Sequence, residues 1–363
     1  MKIKSSAPGR ICLFGEHQDY MGFSVIAAAI DLRISIEGTV VDGNEVTLDL
    51  LDLKKNLTFS LKNIIYTRER DYFKSTIQVL KNKKLFKEKK IKARVQGNIP
   101  IQSGTSSSSA MVVAWTGFLL QCGDDGEKNT HSPEEIAEYA YLAEVEEFGE
   151  SGGRMDQYTS ALGGIVHIDF NHKSKITPLP IHMKEFVLGD SLQPKDTQKT
   201  LKRIRTGQEM GIEELKKYLH CQDKMHIHHT DAEPYFDRIS SSYQPYLRAV
   251  LKNRQITSLA KEELLKKSAD LTKLAALMNS HHEVLRDELK LSTTKIENMI
   301  EQSMKAGALA AKINGSGEGG CMFAFCPGKQ QAVTEAIKHA GGKPYIINIG
   351  KGLDVKIIDR RAN

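Results

Sequence analysis

Cysteine is scarce in this chain: five in 363 residues, Cys12, Cys122, Cys221, Cys321 and Cys326. The number is odd and no two form a C-x-x-C pair, which argues against a disulfide framework and for a reducing compartment. A cytoplasmic location is therefore expected. No apolar run approaches the roughly 18 residues that cross a bilayer, so no membrane partner is expected. The first residues begin a strand pattern where a leader would be charged and then apolar, so no signal peptide is expected. A strong excess of one charge is missing too. The formal net charge of +6 is spread over the whole length, so nucleic acid is not implied, although a mildly basic surface suits anionic ligands such as phosphates.

What is present is ordinary globular composition, 40% hydrophobic and 26% charged. Single cores stop growing at roughly 250–300 residues, so the length suggests two domains. A change of character near residue 180 divides the chain into 1–180 and 181–363. The first part is rich in strand signals: Ile11–Phe14, Ser24–Ile30 and Leu32–Val41 are β-branched and apolar. Asp42, Gly43 and Asn44 read as a turn, with Val46–Leu51 as a returning strand. Residues 73–90 read as a basic helix, 91–95 as a strand, 110–122 as an apolar helix and 124–130 as a polar loop. Ser132, Pro133 and Glu135 make a capping box for a helix expected to run to Phe148, with Gly149 past its end. The second part reads as helices over 197–219, 258–289 and 296–306, then strands at 322–325, 345–349 and 355–358 around a helix at 330–339.

Several stretches carry chemistry. Near the start stands A-P-G-R-I-C-L-F-G-E-H-Q-D-Y-M-G, residues Ala7–Gly22. It places Arg10 before a buried-looking strand and Glu16, His17 and Asp19 directly after it. Read alone, such charges beside glycines also fit a solvated loop. At 3.3 Å per residue the strand separates its two ends, and both converge on one substrate only if the chain turns back at Gly15. Ser103–Ala110, S-G-T-S-S-S-S-A, precedes an apolar helix. Glycine permits close backbone approach, and a helix N-terminus offers unpaired N–H groups that suit phosphate. No lysine follows the last glycine, so this is not the G-x-x-x-x-G-K-[ST] pattern. Asn314–Cys321, N-G-S-G-E-G-G-C, fits either a ligand loop or a tight turn.

Asp156, framed by Gly152, Gly153 and Arg154, fits a general base or a helix N-cap. A base would need a nearby cation, such as Arg10, to stay ionised. On the helix after Ser132, periodicity puts Glu147 near the centre of the apolar stripe and Glu144 at its edge. Either could offer oxygen to Mg²⁺, or both could sit on a solvated helix end. His220, Cys221, His226, His228 and His229 match no zinc spacing and read as polar surface.

Taken together, three stretches carry a resemblance. A-P-G-R-I-C-L-F-G-E-H-Q-D-Y-M-G resembles the first motif of galactokinases, I-P-I-Q-S-G-T-S-S-S-S-A their second and I-N-G-S-G-E-G-G-C their third, in the same order. The chain is thus similar to the superfamily of galactokinase, homoserine, mevalonate and phosphomevalonate kinases. The resemblance implies an α/β (α+β) fold of two domains with ATP and substrate in the cleft between them. It implies ATP phosphates wrapped by Ser103, Gly104, Thr105, Ser106, Ser107 and Ser108, and Mg²⁺ held by Ser108 and Glu144, twelve positions before Asp156. It implies Asp156 as base, Arg10 as its partner, Glu16, His17 and Asp19 on sugar hydroxyls, and Gly153 lining the pocket.

The activity so implied is an ATP-dependent kinase for the anomeric hydroxyl of a galactose-like sugar, acting as a monomer or weak dimer. Alternatives are a kinase for galacturonate, arabinose, N-acetylgalactosamine or mevalonate, and a sugar- and ATP-binding regulator without turnover. Mevalonate kinases resemble A-P-G-K and lack the acid two positions after the histidine, whereas this chain has Arg10 and Asp19. It departs from galactokinases at Gln18, Met21 and Phe23, where they usually carry Thr, Asn and Gly. Leu188–Thr200 also replaces their Asn-Ser-Asn and Ser-Glu-Tyr stretch, so their sugar-contacting tyrosine has no counterpart.

Overall fold

The computed structural model describes residues 1–101, 103–123, 131–171, 174–180, 183–219, 221 and 223–359. The expected polar loop 124–130 and His220 lie outside the described residues. Twelve strands are described: β1 Lys2–Phe14, β2 Val25–Asp42, β3 Glu45–Leu50, β4 Lys55–Ser60, β5 Lys89–Gly97, β6 Ile165–Asp169, β7 Lys175–Pro178, β8 Phe186–Asp190, β9 Ala310–Ile313, β10 Cys321–Phe325, β11 Lys343–Ile347 and β12 Asp354–Asp359. The α-helices described are α1 Tyr72–Asn82, α2 Ser107–Gly123, α3 Pro133–Glu144, α4 Met155–Leu162, α5 Thr197–Lys216, α6 His229–Ala232, α7 Gln244–Leu264, α8 Leu271–Asp287, α9 Thr294–Lys305 and α10 Gln330–His339. Among them, no helix is long and apolar enough to cross a membrane.

The larger sheet has the order β12-β1-β2-β5-β3-β4, with β6 paired to the first part of β2 and β7 outside β6. The smaller sheet runs β11-β8-β10-β9. β1 and β2 are central, and their side chains alternate between two buried layers. Cys12, Val25 and Ala27 face a core shared with α2, while Ile11, Leu13, Ile26 and Ala28 face one shared with α8 and the smaller sheet. A strand buried on both faces reads as a continuous apolar run, which is why Ile11–Phe14 shows no polar alternation.

Three sequence expectations change. The strand after Asp42–Asn44 does not return beside β2, because β5 lies between, antiparallel to β2 and parallel to β3. The route from β4 through α1 makes that crossover and buries Ile91, Ala93 and Val95. The expected helix 73–90 stops at Asn82, and Lys84 then takes a left-handed φ of 59° before β5. The expected helix 258–289 is two. α7 ends at Leu264, and the Asp270 carboxylate accepts the N–H groups of Thr272 and Lys273 to cap a new start at α8. The capping box at Ser132 forms as expected, with both reciprocal bonds present.

One buried ion pair ties the two sheets. Lys312 on β9 donates to Glu16, just past β1, and to the carbonyls of Cys12 at 3.1 Å and Ile313 at 2.8 Å. Both charged side chains are shut off from solvent. Removing one partner strands the other, at a cost of about 3–5 kcal/mol. Lys312→Met is therefore expected to lower the unfolding free energy by that amount, and adding Glu16→Gln to recover much of it. Urea denaturation of the single and double variants measures both; an unchanged midpoint for the single variant contradicts the assignment.

Candidate active site between the sheets

The two ends of the apolar part of β1 converge on one helix start. Arg10 Nε donates to Asp156 Oδ1 at 2.8 Å. Asp156 is the second residue of α4, and the N–H of Met155, its first residue, donates to Asp19 Oδ2 at 3.2 Å. The chain turns back after β1 through Gly15 at φ 96° and His17 at φ 61°. His17 is a non-glycine residue held in the left-handed region, a local strain of the sort that accompanies functional sites. Gly153 is dictated by Asp19: a Cβ there would fall 2.0 Å from Asp19 Oδ2.

The three acids and bases after β1 differ in what remains free. Glu16 spends one oxygen on Lys312; the other has no hydrogen bond and faces His281 Nδ1 at 3.6 Å. His17 donates from Nε2 to the Ser316 carbonyl at 3.2 Å and accepts the Tyr20 hydroxyl at Nδ1 at 3.1 Å. Burial, reinforced by the cations Lys195, Arg203 and Lys312, pulls its imidazole down to about 3 and keeps it neutral. Asp19 lines the cleft beside Asp156. Burial first, then the negative charge of Asp156, push its carboxyl up to about 6.

Opposite lies the serine-rich loop. Ser103 Oγ donates to the Pro100 carbonyl at 2.7 Å and pairs with Thr105 Oγ1 at 2.9 Å, so these two hydroxyls fold the loop. Gly104 has φ 85° and Ser106 φ 60°. α2 starts at Ser107, so its unpaired N–H groups open on a cavity of about 1200 Å³ lined by Gly104 and Ser106–Ser109. Among the described residues, Ser106 Oγ is buried without a partner. The third loop closes on the same point: Arg10 Nη1 and Asn314 Nδ2 both donate to the Gly104 carbonyl, at 2.6 and 2.9 Å.

Glu144 and Ser108 meet at the cavity wall. The Glu144 carboxylate takes hydrogen bonds from Gln157 Nε2 at 2.7 Å and from the hydroxyls of Ser108 and Ser109. Burial nevertheless pushes it up to about 7. A buried carboxylate beside a hydroxyl is a hard oxygen donor pair that fits Mg²⁺. Among the described residues no cluster of three His, Cys, Asp or Glu could hold a metal alone.

Helical periodicity favoured Glu147 as the more central acid, and the structure reverses this. α3 ends at Glu144 and a 3₁₀ turn, Glu146–Phe148, swings Glu147 into solvent, where it accepts the Tyr66 hydroxyl at 2.5 Å. Gln18, Met21 and Phe23 do not line the cavity. Gln18 Nε2 donates to the Ser24 carbonyl at 2.5 Å and closes the turn. Met21 and Phe23 are buried against α5 and α7, with the Arg254 guanidinium 4.3 Å from the Phe23 ring centre. Sequence reasoning missed Lys195, which lines the cavity from the connection between β8 and α5. Its only signal was that Leu188–Thr200 departs from the galactokinase pattern. His226 and His228 are exposed.

The chain matches the GHMP kinases N terminal domain over residues 71–164 and the GHMP kinases C terminal domain over 260–343. Residues 3–39, which carry β1 and most of β2, match the galactokinase galactose-binding signature. A mevalonate kinase of Pyrococcus furiosus is 32% identical, covering 98% of this chain and 99% of its own. A galactokinase of Haemophilus influenzae is 28% identical over 93% of this chain and 88% of its own. In fold, the chain is similar to Lactococcus lactis galactokinase complexed with galactose, with a TM-score of 0.85 at 22% identity over 97% and 95% of the two chains. It is also similar to Methanococcus jannaschii mevalonate kinase, with a TM-score of 0.71 at 20% identity over 97% and 98%.

The proximity of Asp19 to Asp156 is measurable without substrate. The folded state binds the Asp19 proton more tightly than the unfolded chain, so ionising it erodes stability as pH rises from about 4 to about 6. Carboxyl-carbon NMR is expected to give an Asp19 midpoint near 6. Asp156→Asn should move that midpoint down toward the ordinary carboxylate range, burial keeping it above. A midpoint indifferent to Asp156 contradicts the coupling.

Proposed function

The chain belongs to the GHMP kinases, and from that premise we propose that it moves the γ-phosphoryl group of ATP onto the anomeric hydroxyl of a galactose-like sugar. The observation that carries this reading is the pair of carboxylates gathered at the start of α4, Asp156 on the helix and Asp19 bonded by its first N–H, in the cavity that the N-terminus of α2 also lines. Carboxylates accept charge-assisted hydrogen bonds from vicinal hydroxyls, while a carboxylate-bearing acceptor would meet like charge at Asp19. Glu16 and His17 line the same cavity and hold the loop that carries Asp19 to Lys312 and Ser316.

In the reaction, Asp156 accepts the acceptor hydroxyl's proton while the oxygen bonds to phosphorus. The bond from phosphorus to the bridging oxygen breaks, and its electron pair leaves with ADP. Arg10 holds the Asp156 carboxylate in place through the bond from Nε. The N–H groups of α2 and the free Ser106 hydroxyl take phosphate oxygens. Glu144 and Ser108 would hold Mg²⁺, which supplies charge neutralisation at the phosphates. The apolar end of the same cavity, with Leu50, Val95 and Ile101, suits an adenine ring. Positioning and electrostatics supply most of the acceleration in such transfers.

Mevalonate is the second reading, favoured by the Pyrococcus furiosus relative at 32% identity. ADP release from ATP and Mg²⁺ across galactose, galacturonate, arabinose, N-acetylgalactosamine and mevalonate separates the two. The expected result is a neutral hexose as best acceptor. A preference for mevalonate overturns the sugar assignment, and ligand binding with no ADP release from any acceptor overturns the kinase assignment. Asp156→Asn is expected to lower kcat by about two or more orders of magnitude, the scale of a general base. Near-wild-type turnover in a folded variant would remove Asp156 from that role.

A further inference from the structure

Building on the phosphotransfer reading, we propose that Lys195 is a catalytic cation that grips the phosphoryl group in transit. Lys195 sits on the short connection between β8 and α5. That connection is pinned to Gly320 of the third glycine-rich loop ahead of Lys195: Ser191 N donates to the Gly320 carbonyl at 2.9 Å, and Gly320 N donates to the Gln193 carbonyl at 3.2 Å. Two glycines clear a track for the side chain. A Cβ on Gly320 would lie 3.2 Å from Lys195 Cε, and a Cβ on Gly104 would lie 2.5 Å from Nζ. The ammonium is thus laid against the backbone of the serine-rich loop, where the second and third motifs meet.

There it is unfinished. Lys195 Nζ is closed off from solvent, and no hydrogen-bond partner serves it among the described residues. An ammonium carries three donors, and burying them unpaired is costly. The charged groups that act on it are Asp156, Asp190, Arg10 and the Cys321 thiol, with burial pulling its ammonium down to about 8. None of these ends the deficit with a direct bond. A second polar side-chain atom from the lining is unpaired among the described residues, the buried Ser106 Oγ at the mouth of α2. A cation, a hydroxyl and a helix N-terminus in the wall of one cavity suit a tetrahedral oxyanion.

Asp156, which takes the acceptor proton, and the N-terminus of α2, which takes the nucleotide phosphates, line the same cavity as Lys195, and Arg10 bridges Asp156 to the serine-rich loop. A phosphoryl group crossing between them passes Lys195. As the new bond from the acceptor oxygen to phosphorus forms and the bond to the bridging oxygen breaks, the equatorial oxygens hold the charge. Lys195 neutralises that charge, and the electron pair leaves on ADP. A terminal phosphate therefore engages Lys195 and a diphosphate leaves it free.

Calorimetric titration of Lys195→Met and Lys195→Arg with Mg²⁺ plus either ADP or the β,γ-imido analogue of ATP tests this. Lys195→Met is expected to weaken the triphosphate analogue about tenfold or more, the scale of a charge-assisted hydrogen bond. ADP should change by no more than about twofold, and Lys195→Arg should recover most of the loss. In turnover, kcat should fall while KM for the acceptor holds. Equal loss for both nucleotides, or no loss for either, overturns the proposal. So does a rise confined to acceptor KM, which would assign the ammonium to the acceptor instead. Wild-type protein that binds neither nucleotide overturns the phosphotransfer reading itself.

Discussion

One carbonyl oxygen, that of Gly104, receives hydrogen bonds from two side chains far apart in the sequence, Arg10 and Asn314. The same Asn314 accepts the Cys12 N–H through Oδ1 at 2.9 Å, and the same Arg10 holds Asp156. Strand β1, the serine-rich loop, the third glycine-rich loop and the start of α4 are thereby clamped to one point. The clamp tolerates only glycine at position 104, because a Cβ would meet Lys195 Nζ at 2.5 Å and the Asn314 carbonyl at 2.8 Å. A phosphate loop that bears on a carbonyl fixed from two sides holds its helix N-terminus in place before any ligand arrives, which is the preorganisation that charge-stabilising sites require.

Around this clamp the cleft separates charges that are spent from charges that are available. Glu16 and Lys312 neutralise each other in the interior, and His17 is kept uncharged with both ring nitrogens occupied. Arg10 is committed to Asp156. Asp19 is held open toward the cavity by the backbone of Met155, and Lys195 has no partner bond. The spent groups shape the turn after β1, yet Arg10, Glu16 and His17 line the cavity together with Asp19, Asp156 and Lys195.

Much of this was legible in local chemistry. The capping box at Ser132 depends only on residues three apart, and it forms as written. The serine-rich stretch before an apolar run marked a helix N-terminus, and α2 begins within it. Glu144 against Glu147 was not legible, since a regular helix through Phe148 was assumed. The chain instead tightens into a 3₁₀ turn after Glu144 and rotates the later acids away. The meaning of Gln18, Met21 and Phe23 was hidden as well. Their burial against α5 and α7 is a contact between segments some 200 positions apart, and it removes them from the ligand question altogether.

The sequence by itself determined the elements and the chemical kit: where helices start, which run is buried, and that an arginine, acids, hydroxyls and glycine loops are present in family order. Those features rest on interactions within a few residues of one another. Only the tertiary structure decided which charges are free. Glu16 and Asp19 are alike on paper, three positions apart in one turn and both lining the cavity, yet one is paired with a lysine nearly 300 positions on and the other is held by the backbone of Met155. Lys195, with no motif to mark it, became a cation of the cleft wall with no partner bond among the described residues. Burial and pairing set the state of an ionisable group, and both are properties of the folded neighbourhood that no local stretch of chain contains.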